Sequence, residues 1–383
     1  MHAAHWDIFC SVVDNFGDIG VSWRLARQLR KEHGLRVRLW VDDPVSFGLL
    51  EPRLQPGLPH QTLEGVDILH WTPAAPAGAV PGDVVVEAFG CALGEAFEQR
   101  MAERQPRPVW INLDYLSAEA WVEGVHKLGS PHPRLPLQSH FFSPGFTPAT
   151  GGLLREADLA GERDAFQADA TAQTGFWQQH TGTTPPEGAL KVSLFAYENA
   201  ALPGLLDLWA AGPQPVFCAV PVGRVLAGVK HWADDEGLAA GSIVRRGALT
   251  LAVLPFLHHA DYDRLLWACD LNFVRGEDSF VRAQWARRPL VWHIYPQREG
   301  AHLVKLEAFL QRYVAGLEPS AALALRSFWS GWNGDTDSTL PPWPALLDAL
   351  PTLTRHAAGW EAALATRPDL ARQLADFCNS LLK

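Results

Sequence analysis

The segment WDIFCSVVDNFGDIGVSWRLARQL, at positions 6–29, decides how this chain folds. From Trp6 to Val13 it is an apolar run typical of a buried strand, and from Val21 to Leu29 its apolar residues follow helical spacing. The intervening loop carries two carboxylates and two glycines. In doubly wound α/β proteins, the loops that follow parallel strands face the crevice where ligands bind. The segment therefore predicts a binding site directly after a first strand.

The sequence of this loop allows two interpretations. In the first, Asp18 caps the following helix, Asp14 serves a turn and the glycines only relieve backbone strain. In the second, both acids bind a ligand, because two carboxylates four residues apart exceed what one helix cap requires. The loop contains no G-x-G-x-x-G fingerprint, so a dinucleotide-dependent hydride transfer gains no support.

Composition limits the class of protein. The chain has 383 residues, of which 48% are hydrophobic, and a net charge of -10. This length predicts two or three cores. No apolar run approaches the roughly 20 residues that a bilayer crossing needs, and the start lacks the features of a signal peptide. The negative net charge argues against sequence-independent binding to nucleic acid. The sequence predicts a cytoplasmic protein that binds neither membranes nor nucleic acid.

The cysteines and histidines give no sign of a metal centre or a disulfide framework. No C-x-x-C pair, H-E-x-x-H motif or clustered Cys/His spacing occurs, so we predict reduced, buried thiols and metal-independent activity. No G-x-S-x-G elbow supports a serine hydrolase. The isolated cysteines are Cys10, Cys91, Cys218, Cys269 and Cys378.

Strand and helix patterns alternate in two series, which predicts two Rossmann-like halves with a cleft between them. A polar, proline-containing segment from Gln178 to Gly188 is the predicted linker. The predicted strands of the first series are Trp6 to Val13, Arg36 to Val41, Val66 to Trp71, Asp83 to Phe89 and Val109 to Leu113. Those of the second are Lys191 to Phe195, Pro215 to Val220, Thr250 to Leu254, Leu271 to Val274 and Pro289 to Tyr295.

A second motif, NFVRGEDSF at positions 272–280, again places a glycine and acids at a strand-to-helix junction. Here Arg275 and Ser279 suit a diphosphate, because a guanidinium and the N–H groups of a helix start both favour negative charge. The alternative is a capping box with a surface ion pair. Aromatic residues also end strands of this half and are placed to stack on a base: Phe195, Tyr197, Phe256 and Tyr295.

Taken together, these motifs resemble the EarP family of bacterial protein-arginine rhamnosyltransferases. The resemblance rests on positions 6–21, on WINLDYLS at 110–117, on FSPGF at 142–146 and on RGEDSF at 275–280. It implies a GT-B fold, with a first domain at 1–184 joined by a C-terminal helix at 361–383, and a second domain at 185–360. The first would hold elongation factor P and the second the donor dTDP-β-L-rhamnose.

The resemblance further implies an inverting transfer of rhamnose to an arginine of elongation factor P, which activates it for rescue of ribosomes stalled at polyproline, without a cofactor. It implies that Asp18 is the general base, with Asp14 and Glu277 as further catalytic acids. Phe256 would stack on thymine, and Arg275 would neutralise the leaving diphosphate. The implied substrate-binding residues are Asn15, Phe16, Gly17, Phe195, Tyr197, Phe256, Arg275, Gly276, Asp278, Ser279 and Tyr295.

Two other functions remain open at the level of the sequence. A GT-B enzyme with another nucleotide sugar or a small-molecule acceptor would carry similar motifs. A non-enzymatic protein that binds elongation factor P would share the fold, since fold alone does not fix function.

Overall fold

The computed structural model describes residues 4–13, 16–72, 78–297, 300–334 and 342–382. The chain divides into two compact units, one of residues 1–157 with 364–383 and one of residues 158–363. Within the described ranges, no helix combines the length and the apolar character that a membrane crossing needs.

The first unit is built on a sheet that has eight strands in the described residues. They are β1 (His5–Cys10), β2 (Arg36–Val41), β3 (His60–Leu63), β4 (Val66–His70), β5 (Val84–Ala88), β6 (Val109–Leu113), β7 (Gly129–Pro131) and β8 (Gln138–Phe142). Their order is β3-β4-β2-β1-β5-β6-β8-β7. The six inner strands are parallel, whereas β3 and β7 pair antiparallel at the two edges.

Helices connect these strands and close the unit. They are α1 (Gly17–His33), α2 (Pro44–Leu50), α3 (Glu95–Glu103), α4 (Trp121–Val125) and, from the end of the chain, α14 (Leu370–Leu381). Helix α1 packs on β1, β2 and β4 and buries Trp23, Leu25 and Leu29. It ends at Gly34, whose φ of 66° is the left-handed conformation that glycine adopts without strain.

An aromatic cluster fills one side of the first sheet. Phe9 of β1 stacks on Trp40 of β2 at 5.4 Å between ring centroids and meets Trp71 and Phe97 edge-on. Burying such large rings supplies much of the hydrophobic stabilisation of a domain. All five cysteines of the chain are free and buried, which confirms the prediction of reduced thiols.

The end of the chain belongs to the first unit. The backbone N–H of Leu370 donates to the Leu153 carbonyl at 2.9 Å. The amide of Gln28, buried in α1, donates to the Arg155 carbonyl at 2.8 Å and to Asp369 at 3.1 Å. These contacts join α14 to α1 and fix the unit's last helix beside its first.

The described residues of the second unit form a sheet of six strands. Its strands are β9 (Leu190–Leu194), β10 (Val216–Pro221), β11 (Ile243–Arg246), β12 (Leu249–Leu254), β13 (Leu271–Arg275) and β14 (Leu290–His293). They lie in the order β11-β12-β10-β9-β13-β14, and all are parallel except β11, which pairs antiparallel with β12. Its helices are α5 (Leu159–Ala168), α6 (Ala170–Thr181), α7 (Leu202–Ala211), α8 (Val225–Ala233), α9 (His259–Ala268), α10 (Asp278–Gln284), α11 (Ala301–Tyr313), α12 (Pro319–Asn333) and α13 (Trp343–Ala365).

The division between the units differs from the predicted boundaries at 184/185 and 360/361. Helices α5 and α6 belong to the second unit because their side chains pack there. The buried guanidinium of Arg163 donates to the Trp285 carbonyl at 2.7 Å and to Glu361 of α13 at 3.0 Å. Trp177 of α6 meets Phe217 of β10 edge-on at 5.4 Å. The polar segment that suggested a linker therefore joins a helix and a strand of one unit.

Candidate active site

Among the described parallel strands of each sheet, the strand order reverses at one point. In the first unit this point lies between β1 and β5, and in the second it lies between β9 and β13. Ligands of open α/β sheets bind beyond the carboxyl ends of the strands at such points. Both sequence motifs follow the strands concerned, since the first comes after β1 and the second after β13.

Asp42, which follows β2, holds the start of the loop after β1. Its carboxylate accepts the hydroxyl of Ser11 at 2.5 Å and the backbone N–H of Val12 at 2.9 Å. The predicted first strand therefore ends at Cys10, and residues 11–13 leave the sheet toward Asp42.

Asp18 holds the same loop from the other side. It lies in the first turn of α1, is only 2% exposed, and accepts the backbone N–H of Val13 at 2.9 Å. The residue at the helix N-cap position is Phe16, which makes no side-chain capping bond, and Gly17 begins the helix. Asp18 therefore does not act as the helix N-cap, which was the structural alternative for this residue. The predicted site residues Asp14 and Asn15 lie outside the described residues.

The second motif centres on Arg275, the last residue of β13. Its guanidinium carbon lies 4.6 Å from the ring centroid of Phe195 and 4.7 Å from that of Tyr197, both just beyond β9. Arg275 is only 6% exposed. Contact of a guanidinium with aromatic faces is favourable and fixes its orientation. The strand order thus brings three predicted site residues together.

Hydrogen bonds inside the second unit hold this arrangement. The Ser193 hydroxyl of β9 donates to the Asn272 side chain of β13 at 2.6 Å, which ties together the two strands that carry the aromatic rings and Arg275. Behind the motif, Arg282 of α10 makes a buried, two-pronged pair with Asp263 of α9, at 2.9 and 2.8 Å. Bidentate pairs of this kind fix geometry as well as charge.

The turn between β13 and α10 depends on Gly276. Its φ of 60° is in the left-handed region, and its carbonyl accepts the Trp292 indole N–H at 2.9 Å. The Ser279 hydroxyl donates to the Arg275 carbonyl and accepts the Arg275 N–H at 3.0 Å, so it closes the turn. Glu277 precedes α10 without a side-chain capping bond to the helix, which argues against the capping-box alternative.

Other predicted residues lie around this centre. Tyr295, which is 43% exposed, meets Tyr197 edge-on at 5.4 Å. Asp278 begins α10, with its carboxylate 4.0 Å from the Nε2 atom of His259. Phe256 follows β12 at the same edge of the sheet, two strands away from β9.

His293 and Arg224 contact this centre and were not predicted from the sequence. His293 ends β14, pairs in register with Arg275 and meets the Tyr197 ring edge-on at 5.3 Å. Burial and the neighbouring Arg275 lower the pKa of His293 to about 4, so its imidazole is neutral at physiological pH. The Arg224 guanidinium lies 5.9 Å from the Tyr197 ring. Only the strand order reveals these contacts, since neither residue belongs to a motif.

Glu87 of β5 is a further acid that sequence reasoning missed. Burial raises the pKa of its carboxyl to about 7, although the Trp110 indole N–H donates to it at 3.1 Å. Because Glu87 faces the aromatic side of the first sheet, its charged form is costly. In the described part of the chain, no group of three or more His, Cys, Asp or Glu side chains is arranged to hold a metal ion.

We expect Glu87 to make folding stability depend on pH. Its folded pKa lies above the ordinary 4.5, so its contribution is fully present below that value and is lost as the pH rises through about 7. Relative to Glu87→Gln, the wild type should lose about 3 kcal/mol of unfolding free energy as the pH rises from 4.5 to about 7. Urea titrations at a series of pH values measure the difference. The exposed Glu103→Gln is the control, and an equal pH dependence of wild type and Glu87→Gln would contradict the assignment.

The fold matches the crystal structure of Acinetobacter baumannii MurG over 99% of both chains, with a TM-score of 0.50 and 14% identity, a likeness of fold alone. Two parallel-rich sheets with this likeness define a GT-B glycosyltransferase fold, as predicted. The family model "Elongation-Factor P (EF-P) rhamnosyltransferase EarP" matches residues 6–379. The chain therefore belongs to the EarP family.

Similar proteins agree with this assignment. A protein-arginine rhamnosyltransferase of Pseudomonas putida is 52% identical over 379 residues, which is 99% of this chain and 100% of the relative. A solved structure, described as the structural basis for EarP-mediated arginine glycosylation of translation elongation factor EF-P, is 40% identical with a TM-score of 0.69. The alignment covers 98% of this chain and 99% of that one. The family that the sequence motifs resemble is thereby confirmed.

Proposed function

We propose that this protein transfers L-rhamnose from dTDP-β-L-rhamnose to an arginine side chain of elongation factor P, with inversion at the sugar carbon. The observation that carries the proposal is the buried Asp18 carboxylate at the switch point of the first sheet, in a chain that matches the EarP family from residue 6 to residue 379. A buried acid suits a cationic acceptor, because the low local dielectric strengthens its attraction to a guanidinium.

The second unit is proposed to hold the donor. Arg275, oriented by Phe195 and Tyr197, supplies the positive charge that the diphosphate needs as it leaves. Phe256 is proposed to stack on thymine, and Tyr295 adds an exposed aromatic surface beside Tyr197. Gly276, Asp278 and Ser279 shape the turn beneath Arg275, and Glu277 is proposed to position the donor or the acceptor. With a guanidinium in this place, we propose that no metal ion or cofactor is required.

The first unit is proposed to hold the acceptor arginine. A free guanidinium has a pKa above about 12, so a carboxylate cannot remove its proton before attack. We propose that Asp14 and Asp18 orient the guanidinium, with Asn15, Phe16 and Gly17 shaping the loop around it. Positioning of this kind supplies much of the rate enhancement in group-transfer reactions.

The chemical step follows from these roles. The guanidinium nitrogen bonds to the anomeric carbon as the bond from that carbon to the diphosphate oxygen breaks, which inverts the β-linkage to α. The nitrogen becomes more acidic as it bonds to carbon, and Asp18 then accepts its proton. The products are dTDP and an α-rhamnosylated arginine. The modified elongation factor P is proposed to serve in the cytoplasm, at ribosomes stalled on polyproline.

An acceptor mass assay tests the proposal directly. Incubation of the protein with dTDP-β-L-rhamnose and elongation factor P, in the presence of EDTA, should add one deoxyhexose to the acceptor. Replacing its arginine by lysine should abolish the addition. Transfer from UDP-sugars in place of dTDP-rhamnose would favour another donor, and tight binding of the acceptor without any mass increase would favour a binding protein.

Asp42 offers a test of how the acidic loop is held. Because Asp42→Ala releases both Ser11 and Val12, we expect kcat/KM for the acceptor to fall about fivefold, the equivalent of about 1 kcal/mol. The matched control is Asp43→Ala, since Asp43 accepts the N–H groups of Val45 and Ser46 but holds α2 instead of the loop. Equal kinetic losses in the two variants would contradict the specific role of Asp42.

A further inference from the structure

Two aromatic rings, one half-buried and one exposed, stack on each other in the first unit. The rings of Phe89, after β5, and Tyr115, after β6, lie 4.7 Å apart between centroids with an interplanar angle of 25°. Tyr115 is 39% exposed. Each ring has a large apolar face, and the Tyr115 ring is not buried in the core. This arrangement leaves aromatic surface at the carboxyl edge of the sheet.

The backbone at Phe89 is strained. Its φ is 59°, in the left-handed region that bulky side chains rarely adopt. The Phe89 N–H donates to the Leu113 carbonyl of β6 at 2.8 Å, which holds this conformation in place. Non-glycine residues kept in such conformations concentrate at functional sites. The left-handed residue turns the chain at the end of β5, and there the Phe89 ring stacks on Tyr115.

This stack and the acidic loop follow neighbouring strands. Ala88 pairs with Cys10 at the end of the β1–β5 ladder, so Phe89 and Ser11 are the first residues beyond the carboxyl ends of these two strands. From there the loop turns toward Asp42, where Asp42 and Asp18 hold it. Neighbouring strands are only about 4.8 Å apart. Asp114, next to Tyr115, is fixed by the Ser143 hydroxyl at 2.9 Å. Aromatic residues and carboxylates thus follow neighbouring strands at the carboxyl edge of one sheet.

We propose that Phe89 and Tyr115 form an aromatic platform on which the guanidinium of the acceptor arginine stacks. This inference rests on the proposed function. A planar, weakly hydrated cation binds well to an aromatic face, and carboxylates at the rim satisfy its N–H groups. The two rings support the flat face of the arginine guanidinium, while Asp18 binds its N–H edge.

Two substitutions test whether the rings bind the acceptor arginine or only support the fold. Phe89→Gly removes one ring at a φ that glycine adopts without strain, so the fold should be retained. Tyr115→Ala removes the other ring, whereas Tyr115→Phe keeps its face and loses only the hydroxyl. We expect KM for elongation factor P to rise about 3- to 30-fold in Phe89→Gly and Tyr115→Ala. Tyr115→Phe should stay near wild type, and KM for dTDP-rhamnose should not change in any variant.

Trp121→Ala is the matched control, because Trp121 is 57% exposed in the same unit but lies in α4. Thermal melting checks that each variant is folded. Suppose that the wild type transfers sugar and that Phe89→Gly and Tyr115→Ala have the wild-type KM for elongation factor P. The platform proposal is then wrong, whereas the proposed function stands. A rise in the donor KM alone would also overturn the platform, since it would assign the rings to the nucleotide. If the wild type transfers no sugar, the proposed function itself fails and the platform fails with it.

Discussion

Replacing Asp18 by asparagine is expected to lower kcat by a factor of about 10² to 10⁴, the usual contribution of a general base. Asparagine has nearly the same shape, and its side-chain oxygen can still accept the Val13 N–H that Asp18 holds at 2.9 Å. The loop should therefore keep its conformation. What is lost is the negative charge that orients the acceptor guanidinium and the site that accepts its proton.

Steady-state kinetics with separate binding measurements test this prediction. The dissociation constant of dTDP should stay at its wild-type value, because the proposed donor residues belong to the second unit. Asp369→Asn is the control, since Asp369 accepts the Arg372 N–H at the start of α14 in the same unit as Asp18. Wild-type turnover in Asp18→Asn would refute its role as the base.

Arg275→Ala is expected to raise the dissociation constant of dTDP about 10- to 100-fold, as the loss of a charge-assisted hydrogen bond typically does. Arg275→Lys keeps the charge but loses the flat guanidinium that lies against Phe195 and Tyr197, at 4.6 and 4.7 Å. We therefore expect lysine to restore only part of the affinity.

The matched control for Arg275 is another arginine that contacts an aromatic ring in the same unit. Arg246 of β11 lies 4.2 Å from the Trp232 ring, on the antiparallel edge strand. Arg246→Ala should bind dTDP as the wild type does. Calorimetric titration with dTDP measures all three variants, and wild-type affinity in Arg275→Ala would exclude a contact with the diphosphate.

Much of the fold was predictable from local patterns. Most of the parallel strands are continuous apolar runs, and each predicted strand overlaps an observed one. The antiparallel edge strands β3, β7 and β11 and the parallel strand β8 were missed. They are short and partly exposed, so their sequences lack the apolar signal that identifies the other strands.

The candidate site was predictable where one motif follows one strand. Asp18 and Arg275 lie where the sequence placed them, at the carboxyl ends of β1 and β13. Their roles remain predictions. Glu87, His293 and the Phe89–Tyr115 pair were not predictable, because the environment of each depends on residues that lie on or after another strand.

The sequence by itself determined that the chain alternates strands and helices in two series, and which loops follow which strands. Hydrophobic periodicity and turn residues determine local structure over a few positions, so they can be recognised in a single sequence. The tertiary structure decided which strands became neighbours, and with it the contact of Arg275 with two rings and the stacking of Phe89 on Tyr115. Strand order cannot be predicted from a local pattern, because it depends on packing between residues that are far apart in the chain.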